Sequence, residues 1–189
     1  MRRAALSLAI VLAAPLSLPV ASRADTERFR DGNTARGPLD IASISHGHRM
    51  GPKGVRQLAH TIRLHRAWPV KKLRHRGFVH VDFELRGNPD GPQERSIWIV
   101  HRKGRLVATM YATLGDPPKR LARVALWRPD WRTVKVAFPK SLLRKGLDRY
   151  KWAALSFVEG RHELCGKSGG CTDWAPNPED RRRYVKHVL

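Results

Sequence analysis

The stretch FVHVDFEL, residues 78–85, alternates apolar and polar side chains without a break. Successive side chains of a strand leave the backbone on opposite faces, so a period of two marks a half-buried strand. The pattern turns Val79, Val81, Phe83 and Leu85 toward a core and His80, Asp82 and Glu84 away from it. LAHTIRLH (58–65) repeats it, with Leu58, His60, Ile62 and Leu64 on one face and Ala59, Thr61 and Arg63 on the other. LDIASIS (39–45) begins the same way with Leu39 and Ile41.

Turn signals punctuate these runs. NPDG (88–91) has the composition of a turn. RSIWIVHRKGRLVATMY reads as a hairpin, with strands 95–101 and 105–111 and a turn at Lys103-Gly104. LARVALW and RTVKVAF flank RPD and predict a second hairpin with its tip near Pro129. YKWAALSFVEG is a late strand; WPVKKLRHRG (68–77) and PKSLLRKG (139–146) allow a helical turn each, and the C-terminal residues fit a short helix or an edge strand. No βαβ rhythm appears, which argues against a nucleotide-binding parallel sheet. The expected fold is all-β: an antiparallel β-sandwich of about eight or nine short strands with one or two short helical turns.

The N-terminus fixes the expected compartment. Arg2 and Arg3 precede the uncharged run Ala4–Val20, and Ser22 and Ala24 stand where a signal peptidase reads. A membrane anchor is the alternative, but the run is short for a span and is broken by Pro15 and Pro19. The organisation expected is a signal peptide over 1–24, an extended segment over 25–38 and a single domain over 39–189, secreted and without a transmembrane segment once the signal is cleaved.

Export decides how the two cysteines are read. Cys165 and Cys171 are expected to oxidise outside the cytosol, closing a small loop that Gly166, Gly169 and Gly170 leave free to bend. The chain-entropy estimate for so small a loop is about 2 kcal/mol. A redox pair wants two residues between its cysteines. A zinc site would need further ligands, with His162 and Asp173 nearby, and the spacing matches no common structural pattern.

The order of LDI, VKVAFPKSLL and DWAP resembles that of small secreted actinobacterial proteins whose domain is similar to DOMON-type sandwiches and family 9 carbohydrate-binding modules. The resemblance spans Leu39 to Pro176. It implies an antiparallel sandwich that binds sugar, haem or calcium. Haem-binding members need axial Met or His at particular strand positions, and none is assigned here; nor is there a calcium-type cluster of adjacent acids. The fold is carried over, and no ligand residue is.

Charge bounds the partners. Lys and Arg number 37 against 16 acids, a net charge of +21, and the expected cleavage leaves +18 by removing Arg2, Arg3 and Arg23. That excess favours polyanions, although scattered arginine need not form a patch. Trp127 and Trp131 flank the RPD tip, where exposed rings would stack on sugars or bases while Arg128 and Arg132 supply charge and donors. The alternative is that the two tryptophans pack across their own hairpin. Trp98 and Trp152 read as core, and Trp174 as the anchor of the C-terminal segment.

Catalytic signals are weak. His46 and His48 in SHGHRM share a strand face, and His60, His65, His80 or His101 would have to complete a metal site. The competing reading is exposed histidine on a basic protein. His80, Asp82 and Glu84 form either an acid–base face or a solvated face paired with arginine. H-E-x-x-H is absent from the sequence, Ser141 and Ser156 have no visible partners, and CGKS lacks the first glycine of a phosphate loop. No catalytic residue, metal ligand or cofactor is assigned. The expected function is a non-catalytic binding or accessory domain whose partner is a cell-envelope or extracellular polysaccharide, or another polyanion. The alternatives are a hydrolase or metal-dependent enzyme, and a non-specific polyanion-binding or structural envelope protein.

Overall fold

A computed structural model describes residues 28–32, 37–74, 76–86, 93–159, 169–176 and 184–189. The signal segment, the predicted turn 88–91, Cys165 and so the predicted bridge lie outside the described residues. Twelve strands follow in order: β1 (Arg28–Arg30), β2 (Ile41–Met50), β3 (Arg56–Leu64), β4 (Phe78–Glu84), β5 (Arg95–Arg102), β6 (Arg105–Ala112), β7 (Lys119–Arg123), β8 (Ala125–Trp127), β9 (Thr133–Pro139), β10 (Arg149–Glu159), β11 (Gly170–Ala175) and β12 (Val185–Val188). Three single 3-10 turns accompany them, at Pro52–Gly54, Val70–Leu73 and Lys140–Leu142. Among the described residues no helix is long and apolar enough to cross a membrane.

The strands form two antiparallel sheets, the all-β sandwich that the alternation demands. The first sheet runs β1-β2-β3-β9-β8 and the second β11-β10-β4-β5-β6-β7, with β12 also paired to β10. The inward residues of both sheets meet in one core. Ile44, Ile62, Val134, Val136 and Phe138 come from the first sheet; Val79, Val81, Phe83, Ile97, Ile99, Met110 and Trp152 come from the second. All are buried. Each such side chain contributes about 1.5–3 kcal/mol by leaving water, and Phe83→Ala would cost about 3–5 kcal/mol once its cavity is included. The β5–β6 hairpin turns on Lys103 (φ 47°) and Gly104 (φ 82°), two left-handed residues that match the strands' twist.

Several expectations are corrected. LARVALW is not one strand: β7 pairs with β6 in the second sheet, β8 with β9 in the first, and Val124 between them donates its N–H to Ala108 O. The chain thus changes sheet within one residue. The last residues form an edge strand, β12. Trp98 is not core. It is 38% exposed because Ile97 and Ile99 take the inward positions of β5. His80, Asp82 and Glu84 do face away from the core, yet they are buried rather than solvated. Phe78 stacks on His80 at 4.3 Å and Trp98 lies tilted against it at 4.1 Å, and Asp82 Oδ1 accepts a hydrogen bond from Ser96 Oγ at 2.6 Å rather than pairing with an arginine.

Candidate functional site

Register places side chains of the first sheet in rows across its outer face. One row runs through all five strands: Arg28, Ser45, Thr61, Lys135 and Trp127, each directly opposite the next. At about 4.8 Å between strands it spans roughly 19 Å. The row on one side holds Gly47, Ala59, Ala137 and Ala125, a low floor. The row on the other holds Arg30, Ser43, Arg63 and Thr133. These are the positions that alternate with Ile44, Ile62, Val134 and Val136, so the inward apolar residues fix the outward face.

This face carries a shallow cavity of about 440 Å³ with Ser45, Thr61, Thr133, Arg63, Lys135 and Asp130 in its lining. Its hydroxyls both donate and accept, and its cations donate only. Arg28 Nη2 donates to Ser43 Oγ at 3.3 Å. Asp130 organises the rim. Its carboxylate accepts the Arg132 N–H at 2.7 Å and the Thr133 hydroxyl at 3.0 Å, and Arg63 lies 3.9 Å away. The backbone bond from Arg132 is the main reason that its carboxyl sits below the ordinary value.

The four residues expected at the hairpin tip take different positions. Trp127 lies at the end of the five-strand row, with the Arg49 guanidinium 4.5 Å above its ring. Trp131 is 71% exposed. Arg132 is exposed, and its backbone is held at both ends: N–H by Asp130, carbonyl by the Leu64 N–H at 3.0 Å. Arg128 turns back into the protein. Its Nη2 donates to Trp68 O at 2.9 Å and to Trp131 O at 2.7 Å, and its guanidinium lies 4.2 Å from the Trp68 ring. Arg128 is thus a strut under the tip, and the buried Trp68 is its platform. No local pattern signals the Trp68 or Arg49 contacts, because both residues come from other parts of the chain.

The histidines gather elsewhere. His46 and His48 of β2, His60 of β3 and His187 of β12 meet at one end of the inter-sheet space, with Tyr150 and Trp152 of β10. His46 stands directly opposite His60, and its ring centroid is 3.9 Å from that of His187; His48 is 5.5 Å from His187. The expectation of exposed histidine therefore fails for His46, which is buried. The metal reading gains a fourth residue, His187, but not the chemistry. Trp152 Nε1–H donates to His46 Nδ1 at 3.0 Å, and Arg56 Nη2 donates to His48 Nδ1 at 3.1 Å. Indole and guanidinium only donate, so both Nδ1 lone pairs are used and both Nε2 atoms carry the proton. Those tautomers leave His46 and His48 no lone pair for a metal. Among the described residues no three His, Cys, Asp or Glu side chains converge as a metal site.

Burial keeps these rings neutral. It lowers His46 to about 4 and His187 to about 3, helped by the neighbouring histidines, and takes His60 well below its ordinary value. Tyr150, whose own phenol is pushed up by burial, is 2.9 Å from His60 Nε2. On the second sheet, burial raises Asp82 to about 6 and lowers His80 to about 4. A carboxyl near 6 suits acid–base work. Asp82 is closed off, however, with its Oδ1 held by Ser96. Comparison with known proteins found no matching family model, no matching curated protein and no matching solved structure.

Proposed function

We propose that this protein is a secreted, non-catalytic binding domain for a cell-envelope or extracellular polysaccharide, held on the outer face of the first sheet. One observation carries the reading: the row Arg28–Ser45–Thr61–Lys135–Trp127, which offers cations, hydroxyls and an aromatic ring in line across five strands. A sugar ring presents an apolar face and a rim of hydroxyls, and such a surface meets both needs. The floor of Gly47, Ala59 and Ala137 leaves room for a chain to lie flat. Arg49 lies over one face of Trp127, where it steadies the ring and supplies donors on that side. The same positions would favour a polysaccharide with acidic groups, since Arg28, Arg63 and Lys135 outnumber Asp130 in the cavity.

The test is a glycan screen on residues 25–189, run at low and high salt. Trp127→Ala should weaken the best ligand about tenfold, a loss of about 1.4 kcal/mol. Thr61→Val, which keeps shape and removes the hydroxyl, should weaken it severalfold. Binding that disappears at high salt for every polymer alike, and that ignores Trp127→Ala, would overturn the reading in favour of charge alone.

A further inference from the structure

We infer that the opposite corner of the second sheet holds a separate site for a tetrahedral oxyanion, a phosphate or sulfate group, gripped between Lys151 of β10 and Lys186 of β12. The two lysines stand directly opposite each other in the antiparallel ladder. Like charges in that position repel and weaken the pair. Here they sit at the end of the sheet where β12, four residues long, has to be held in place. An anion with two charges would neutralise both at once.

The surroundings form a concavity rather than a solvated face. A cavity of about 910 Å³ opens over this corner, and its lining holds six cations: Arg86, Arg144, Lys145, Arg149, Lys151 and Lys186. Two acids share it, Asp148 and Glu84; Glu84, whose Oε1 accepts the Arg86 N–H at 2.7 Å, stands opposite Lys151 on its other side, in the β4–β10 ladder. Arg86 is already neutralised by Glu94 at 2.9 Å. Among the described residues the other five cations make no ion pair. The wall that carries Arg144 and Lys145 is fixed in place: Leu143 and Leu147 on either side are buried, Gly146 takes the left-handed turn (φ 72°), and Arg95 Nε donates to Leu142 O at 3.3 Å. β12 is fastened beyond its end by the Leu189 N–H to Asp148 O at 2.8 Å. Five cations thus converge from β10, β12 and one braced turn, which is the arrangement that multivalent anions select.

This site does not depend on the polysaccharide reading, and its test separates the two. Thermal unfolding is followed with orthophosphate as the free ion and with dextran sulfate as the polymer, for the wild type and two double variants. Lys151→Gln with Lys186→Gln removes the pair; Lys119→Gln with Arg120→Gln removes the same charge from the exposed β7 edge. Without anion, the first variant should melt at or above the wild type, because repulsion is relieved. Either anion should raise the wild-type and β7-variant melting temperatures by on the order of 3 °C or more, and should leave the Lys151/Lys186 variant unmoved. Protection by dextran sulfate alone would assign the site to a polymer, and protection by orthophosphate as well to the bare oxyanion. Equal protection of all three proteins, or protection of none, would overturn the site. Trp127→Ala should leave the anion response intact, so loss of the sugar reading does not remove this one.

Discussion

The carboxylate of Asp173, on β11, accepts a hydrogen bond from the backbone N–H of Ile41, at the start of β2, at 2.6 Å. The bond joins the two sheets across 132 residues, and both partners are buried. Asp173→Ala would leave a buried N–H without its acceptor and should lower stability by about 2–3 kcal/mol. Asp173→Asn keeps an acceptor oxygen and should lose about half as much. Urea denaturation of the three proteins checks the order; equal stability of all three would mean that the link is not felt in the folded state.

Acid should loosen the molecule at its histidine end. His46 and His187 titrate in the fold at about 4 and about 3, and His60 also lies well below 6.5. The unfolded chain binds these protons more readily, so their contribution to stability is complete above pH 6.5 and is lost as pH falls toward 4 and then 3. Asp82, raised to about 6, works in the opposite direction and gains as pH falls through 6, but it is one group against five, since His80, lowered to about 4, and His48, also lowered, add to the three. The melting temperature should therefore fall by at least about 5 °C from pH 7.5 to pH 4.5. His187→Phe, which keeps an aromatic ring and removes the titration, should flatten that slope.

Arg128 and Arg132 are four residues apart in the chain and should separate in their effects. Arg128→Ala removes the side-chain donor to Trp68 O and one of the two donors to Trp131 O, which keeps the Trp68 N–H, and should cost about 2 kcal/mol of stability. Lysine in its place has donors but no planar group to lie against the Trp68 ring, and should recover only part. Arg132→Ala leaves the backbone bonds intact and should change the melting temperature little, while weakening an acidic glycan. A thermal scan and one binding curve per variant decide this.

The mature protein should weigh two hydrogens less than its fully reduced form, through Cys165–Cys171. Intact-mass measurement before and after reduction is the check. Two free thiols in the untreated protein would remove the bridge, and with it one support for the secreted reading.

Alternation made the core legible. Val79, Val81, Phe83 and Leu85 are all buried, as are Leu58, His60, Ile62 and Leu64 on β3. The same alternation puts Trp98 on the outer face, between the buried Ile97 and Ile99, against its reading as core from its place inside a strand. What alternation cannot show is what lies over a sheet's second face. Asp82 and His80 are outward by period and buried by their neighbours on β4 and β5. Nor does a local pattern reveal distant partners. His46 and His48 stand out as a pair, yet the ring that packs on them is His187, brought in by the final strand. The tip residues were named from their chemistry, and only the chain folding back to Trp68 distinguishes the strut Arg128 from the exposed Arg132.

The last strand belongs to two ledgers of charge at once. Val185–Val188 presents His187 inward to Tyr150 and Lys186 outward to Lys151, one peptide unit apart. Protons taken up by His187 work to lift the strand away, and an anion between the lysines works to seat it. Thermodynamic reciprocity then ties the two: acid should lower anion affinity at this corner, and bound anion should lower the pH at which the histidines charge. Simple electrostatics on so basic a protein would give the opposite trend, so the direction of that dependence alone reports whether the strand transmits it.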